Sequence, residues 1–148
     1  MTPAITPELR ERADLFYIVD LRPAWNRNPY VTFWRSDDAG YCYSLPNAGR
    51  YSRARVIEGG SYYTAKDWTS SKGPGRLWTR FAALCADVDA LASEPDTEGR
   101  HRLDSGLTGK VILRNTGKMR TTLRRLRFVL PTNIDAPPAT PLATGEAA

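Results

Sequence analysis

The sequence predicts an α+β protein, a small antiparallel sheet of three to four strands packed against two or three helices. Three observations carry this expectation. Short runs rich in aromatic and β-branched residues, divided by turn formers, are concentrated near the N-terminus. Apolar residues at helical spacing come later, at Leu77, Phe81, Leu84, Val88 and Leu91, and again at Met119, Leu123, Leu126 and Leu130. Finally, 148 residues suffice for one ordinary core and are too few for two comfortable ones. A single domain over residues 14–130 is therefore expected, between a frayed start at 1–13 and a disordered tail at 131–148 that lacks periodicity and bulky side chains.

Along the chain, LFYIVDL at residues 15–21 reads as the first strand. The following segment, Arg22 to Pro29, contains two prolines and two asparagines and reads as a loop that offers Trp25 to solvent. Residues 30–35, YVTFWR, form the second strand, with Tyr30, Thr32 and Trp34 on one face and Val31, Phe33 and Arg35 on the other. A loop of about five residues, Ser36 to Gly40, turns the chain into a third strand from Tyr41 to Leu45. Ser52 is placed to cap a short helix that Gly59-Gly60 stops. The tract 61–70 reads as strand or ordered loop, and residues 70–75 as an exposed connection.

From 76 to 92 the 4-3-4-3 spacing of apolar residues predicts a helix. A division into a strand near Phe81 and a helix after Cys85 is the competing reading. Residues 93–109 read as a long polar loop and 111–113 as a brief strand able to join the sheet. A last helix of about ten residues is capped by Thr116 and ended by Pro131. On that helix Arg120, Arg124 and Arg127 repeat on a different side from the apolar stripe, which predicts one apolar and one basic face.

Composition narrows the function classes. Hydrophobic residues at 41% and charged residues at 25% suit a folded, soluble protein. No apolar run approaches the roughly 18 residues of a membrane span, and the N-terminus lacks the pattern of a signal peptide, so a cytoplasmic protein without a membrane partner is expected. The formal net charge is only +5, yet residues 100–130 hold nine basic side chains against the single acidic Asp104. An anionic partner is the simplest use for such a patch.

Catalytic and metal chemistry find little support. The one histidine, His101, falls in a loop, and Cys42 and Cys85 lack the close spacing of a zinc site, so they read as packed thiols and no metal or cofactor is expected. Asp37-Asp38 sits where aspartate commonly serves a turn, Asp87 and Asp89 do not face each other on a helix, and no phosphate-binding loop frame occurs. The expectation is a non-enzymatic binding protein. Its candidate partner- or phosphate-binding residues are Arg114, Lys118, Arg120, Arg124, Arg125 and Arg127, with Arg50 and Arg53 from the shorter helix region. Trp25 and Trp68 are the loop aromatics selected from a wider set that includes Trp34, Tyr41, Tyr43, Tyr51, Tyr62 and Tyr63.

The segment Phe33-Trp34-Arg35-Ser36-Asp37-Asp38-Ala39-Gly40-Tyr41, continued by Leu45, Ala48-Gly49-Arg50-Tyr51 and Ser52, resembles a pattern in small phage or prophage proteins of unassigned function. In these a WR…GY hairpin leads to an AGRYS-type turn and a short helix, and VILRNTGKMRTTLRR at 111–125 resembles their C-terminal region. Together the similar segments cover about half of the chain. The resemblance brings no catalytic residues. It implies a mobile-element origin, in which such proteins bind and inhibit host defence complexes, as anti-CRISPR proteins do, or act as accessory nucleic-acid binders. The partner so implied is a host protein or nucleoprotein complex, or RNA or DNA bound directly, with a homodimer left open. Mimicry of DNA is disfavoured, because a mimic would carry acidic rather than basic charge.

Overall fold

The computed structural model describes residues 14–66, 77–103 and 106–131. The expected frayed start, the tail beyond Pro131 and Trp68 lie outside these residues. The fold is α+β: an antiparallel sheet with helices packed on it. Its strands are β1 (Leu15–Asp20), β2 (Thr32–Trp34), β3 (Tyr41–Cys42), β4 (Tyr51–Ser52), β5 (Ala65–Lys66) and β6 (Trp78–Leu84). The helices are α1 (Arg53–Gly59), α2 (Cys85–Asp89) and α3 (Gly117–Arg125). Across the sheet the order is β3-β2-β1-β6-β5, with β4 pairing the start of β1.

β1 is the central strand, and its sequence shows why. Alternate side chains leave opposite faces. Tyr17 and Val19 enter one core cluster with Phe33, Phe81, Val88, Leu113 and Leu123, whereas Phe16 and Ile18 enter a second with Trp34, Tyr51, Val56 and Tyr63. Both faces are thus covered, the first by α2 and α3 and the second by α1. The β2–β3 hairpin forms as expected, with Phe33 opposite Cys42 and Trp34 opposite Tyr41, although each strand is shorter than the sequence run. Ser52 and Thr116 both act as N-caps, accepting hydrogen bonds from the backbone N–H of Arg55 and Met119 respectively.

Three elements differ from expectation. The single helix over 76–92 is instead β6 followed by α2, the competing division. Because β6 pairs β1 over five residue pairs in the middle of the sheet, Phe81, Ala82 and Ala83 are all buried on alternating faces. A strand apolar on both faces has no period-2 signal, and its spacing then passes for that of a helix. The segment 111–113 makes an isolated bridge rather than a sheet strand, Ile112 pairing Ser93, and the next residue, Arg114, makes another with Tyr30. α3 stops at Arg125, so Leu130 is not on its stripe. The chain instead turns to the outer edge of β6, where Phe128 N–H donates to the Ala82 carbonyl at 2.7 Å. Phe128 and Leu130 then cover the second core cluster. Pairing of a free strand edge outweighs continuation of the helix.

The first core cluster carries two titratable groups with a testable consequence. Tyr17 is fully buried and donates to Asp89 Oδ1 at 2.7 Å; burial and this bond push its pKa upward. Burial also raises the Cys85 thiol from 9.0 to about 12. A raised folded-state pKa means the native protein holds its proton more tightly than the unfolded chain. The associated stability is intact below the unfolded pKa and is lost as pH rises past it. The urea midpoint is therefore expected to hold constant between pH 7 and roughly 8.5 and to fall progressively above about pH 9. A midpoint unchanged at about pH 10.5, roughly half a unit above the free-tyrosine value, would contradict this burial.

Candidate functional site: an arginine and aromatic edge

The site is built at the β3 edge of the sheet, starting from a buried carboxylate. Asp20, at the end of β1 and only 2% exposed, accepts from Trp34 Nε1 at 3.1 Å and from Arg22 Nη2 at 2.7 Å and Nε at 3.1 Å. This fork holds the Arg22 guanidinium in one plane. Its Cζ lies 3.9 Å from the centre of the Trp25 ring and 5.2 Å from that of Tyr41. Trp25 meets Tyr41 edge-on at 4.9 Å, and Tyr41 meets Trp34 at 6.2 Å in the same manner. The result is a ridge topped by Tyr41, which is 47% exposed.

Two devices hold the ridge in place. The hairpin turn has Asp37 and Asp38 in left-handed conformation, φ 56° and 59°, an arrangement that costs free energy in non-glycine residues. Arg55 from α1 bridges both carboxylates, at 3.0 and 3.3 Å, and Tyr63 Oη donates to Asp38 at 2.9 Å. Tyr51 Oη donates to the Arg35 carbonyl and accepts from Asp38 N–H. The turn packs so tightly on Gly49 that a Cβ there would stand 2.7 Å from Ser36 backbone atoms. On the other side the loop carrying Trp25 is tied down by Asn115. Its Nδ2 donates to the carbonyls of Trp25 at 3.1 Å and Asn28 at 2.9 Å, and its Oδ1 accepts from Arg120 at 2.9 Å.

Beside the ridge opens a groove of about 390 Å³ whose lining includes Trp25, Tyr41, Tyr43, Asn28, Arg35, Asn47 and Leu103; among the described residues no carboxylate lines it. A smaller depression, also bordered by Tyr41, is lined by Trp34, Asp38 and Tyr62, the last 52% exposed. Cys42 also faces the groove, but burial raises its thiol pKa, so it stays protonated and is a poor nucleophile.

The predicted basic residues divide into two groups. Arg120 and Arg124 face the body of the protein: Arg124 Nε donates to the Trp78 carbonyl at 2.8 Å, and desolvation lowers its pKa. Arg127 stacks over the Trp78 ring at 5.0 Å and donates to the Arg124 carbonyl. Arg114 is held by Asp96 at 2.9 Å and by the Glu94 carbonyl, Arg53 by Asp14 at 2.8 Å, and Arg50 leans over Tyr17. Lys118 and Arg125, seven residues apart and hence on one side of α3, are exposed and make no ion pair among the described residues. The same holds for Arg27 in the Trp25 loop.

The expected basic face of Arg120, Arg124 and Arg127 is therefore largely engaged in packing, and Lys118 and Arg125 form the outward cationic pair. The sequence singles out Trp25 and holds Tyr41 only within the wider aromatic set, while Arg22, Arg35 and the anchor Asn115 carry no local signal of their role. Compared with known proteins, the chain matches no family model, no curated protein and no solved structure. Among the described residues no helix is long and apolar enough to cross a membrane, and no three metal-ligating side chains stand together.

Proposed function

We propose that the protein is a non-enzymatic binding protein whose partner presents single-stranded nucleic acid, and that it acts by occupying that surface of a host nucleoprotein complex. The observation that carries this reading is the arginine and aromatic edge: exposed Tyr41 and half-buried Trp25, organised by Arg22 and bordered by a groove that, among the described residues, has no carboxylate in its lining. Planar rings and guanidinium groups are what unstacked bases and phosphates engage. Outward cations supply a sequence-independent attraction, Arg27 from the Trp25 loop and Lys118 and Arg125 from α3. The loop and the helix are joined through Asn115, so the two cationic sources belong to one rigid support.

The phage-like hairpin and C-terminal segments favour a host defence complex as the target. Capture from a bacterial lysate, with and without nuclease and over a salt series, tests the reading. A discrete complex that contains nucleic acid, and that the double reversal Lys118→Glu/Arg125→Glu fails to capture, is the expected result. A partner recovered equally by the wild type and this variant after complete nuclease digestion would contradict it. Because both positions are exposed, the variant is expected to keep the wild-type melting temperature within about 2 °C.

A further inference from the structure

We infer that the groove beside the Trp25–Tyr41 contact receives one unstacked base of a single-stranded nucleic acid against its aromatic lining, with the adjoining phosphate met by Arg35. This deepens the proposed function and rests on it. Volume comes first: about 390 Å³ lies near the lower end of small-molecule sites, roughly 300–1,000 Å³, which suits one nucleoside and not a duplex. The second argument is the lining. Three aromatic residues wall the groove, and every base has a π-face, so stacking is available whatever the sequence.

Unspent polar groups are the third argument. Arg35 uses Nε on the Tyr41 carbonyl at 3.1 Å, and its terminal nitrogens make no hydrogen bond among the described residues. Asn47 commits Nδ2 to Ser44 Oγ at 2.8 Å and leaves its carbonyl oxygen for a donor, while the Asn28 side chain has no partner among the described residues. An amide and an amide oxygen are matched to the mixed donors and acceptors of a base edge. Charge is the fourth: Arg35 brings a guanidinium to the lining and, among the described residues, no carboxylate joins it, which favours an anionic ligand. Bases within a duplex keep their faces stacked, so a single strand is the form able to enter.

The test is fluorescence anisotropy of a labelled ten-nucleotide single strand, at fixed salt, against the full chain. Tyr41→Ala removes the exposed stacking ring, Tyr62→Ala removes the ring beyond the ridge, and a matching oligonucleotide with abasic positions removes the bases. Tyr41→Ala is expected to weaken binding of the normal strand about tenfold, and Tyr62→Ala by less than about twofold. On the abasic strand wild type and Tyr41→Ala should bind alike. If Tyr41→Ala binds the normal strand as the wild type does, or loses equally on both strands, the groove is not a base site. In that case the proposed function survives provided Lys118→Glu/Arg125→Glu still weakens binding. Failure of the wild type to bind any oligonucleotide overturns both.

Discussion

Asp20→Ala is expected to destabilise the protein by about 3–4 kcal/mol, the combined cost of a buried indole N–H left unsatisfied and of charge-assisted hydrogen bonds lost from Arg22, whose own side chain is 38% exposed. Asp20 is 2% exposed and serves Arg22 and Trp34 together. Its loss leaves the Trp34 indole N–H without its acceptor and a guanidinium without its counter-charge at the base of the ridge. The effect should exceed stability. With Arg22 released, the contact that sets the Trp25 plane disappears, and the ridge loses its fixed spacing to Tyr41. Urea unfolding gives the first quantity, and the Trp25 contribution to native fluorescence, taken as the difference from a Trp25→Phe background, reports the second. A loss below about 1 kcal/mol would show that the fork is a surface ion pair in effect, as exposed pairs are.

Arg124→Glu is expected to be nearly as damaging, about 3 kcal/mol, although a helix-surface arginine would ordinarily tolerate the change. The substitution removes the donor to the Trp78 carbonyl and sets a carboxylate against that same oxygen. Arg127, which stacks on the Trp78 ring, loses its setting as well. Thermal melts of Arg124→Glu and Arg125→Glu side by side provide the comparison: neighbours in sequence with the same charge change, one inward and one outward. The melting temperature should fall by more than about 8 °C for the first and by less than about 2 °C for the second. Equal responses would remove the distinction between structural and available arginines on which the functional reading depends.

That distinction marks the limit of what the sequence reveals. The α+β class, the hairpin, both N-caps and the α3 helix are encoded locally, in turn residues, capping hydroxyls and short-range periodicity. Which arginines face outward depends on what α3 packs against. Arg124 is drawn inward by a carbonyl of β6, forty-six residues away, and that strand was itself concealed by burial on both faces. The site follows the same rule. Trp25 stands out in a proline- and asparagine-rich loop, but Tyr41 follows a turn like many others. Its exposure comes from its place on an edge strand, and its neighbours are fixed by Asp20 and Asn115 at long range. The two consecutive left-handed aspartates are the sole local trace of the hairpin's rigidity, and sequence shows them only as turn formers.

The central claim, that exposed cations and an aromatic edge bind single-stranded nucleic acid, is tested most directly by the salt dependence of affinity for an oligonucleotide. Wild type should lose affinity linearly on a log–log scale as salt rises, and Lys118→Glu/Arg125→Glu should bind at least about tenfold more weakly with a slope shallower by roughly 1.4, two phosphate contacts fewer. Affinity that does not change with salt, or a variant whose affinity and slope match the wild type, would contradict the account.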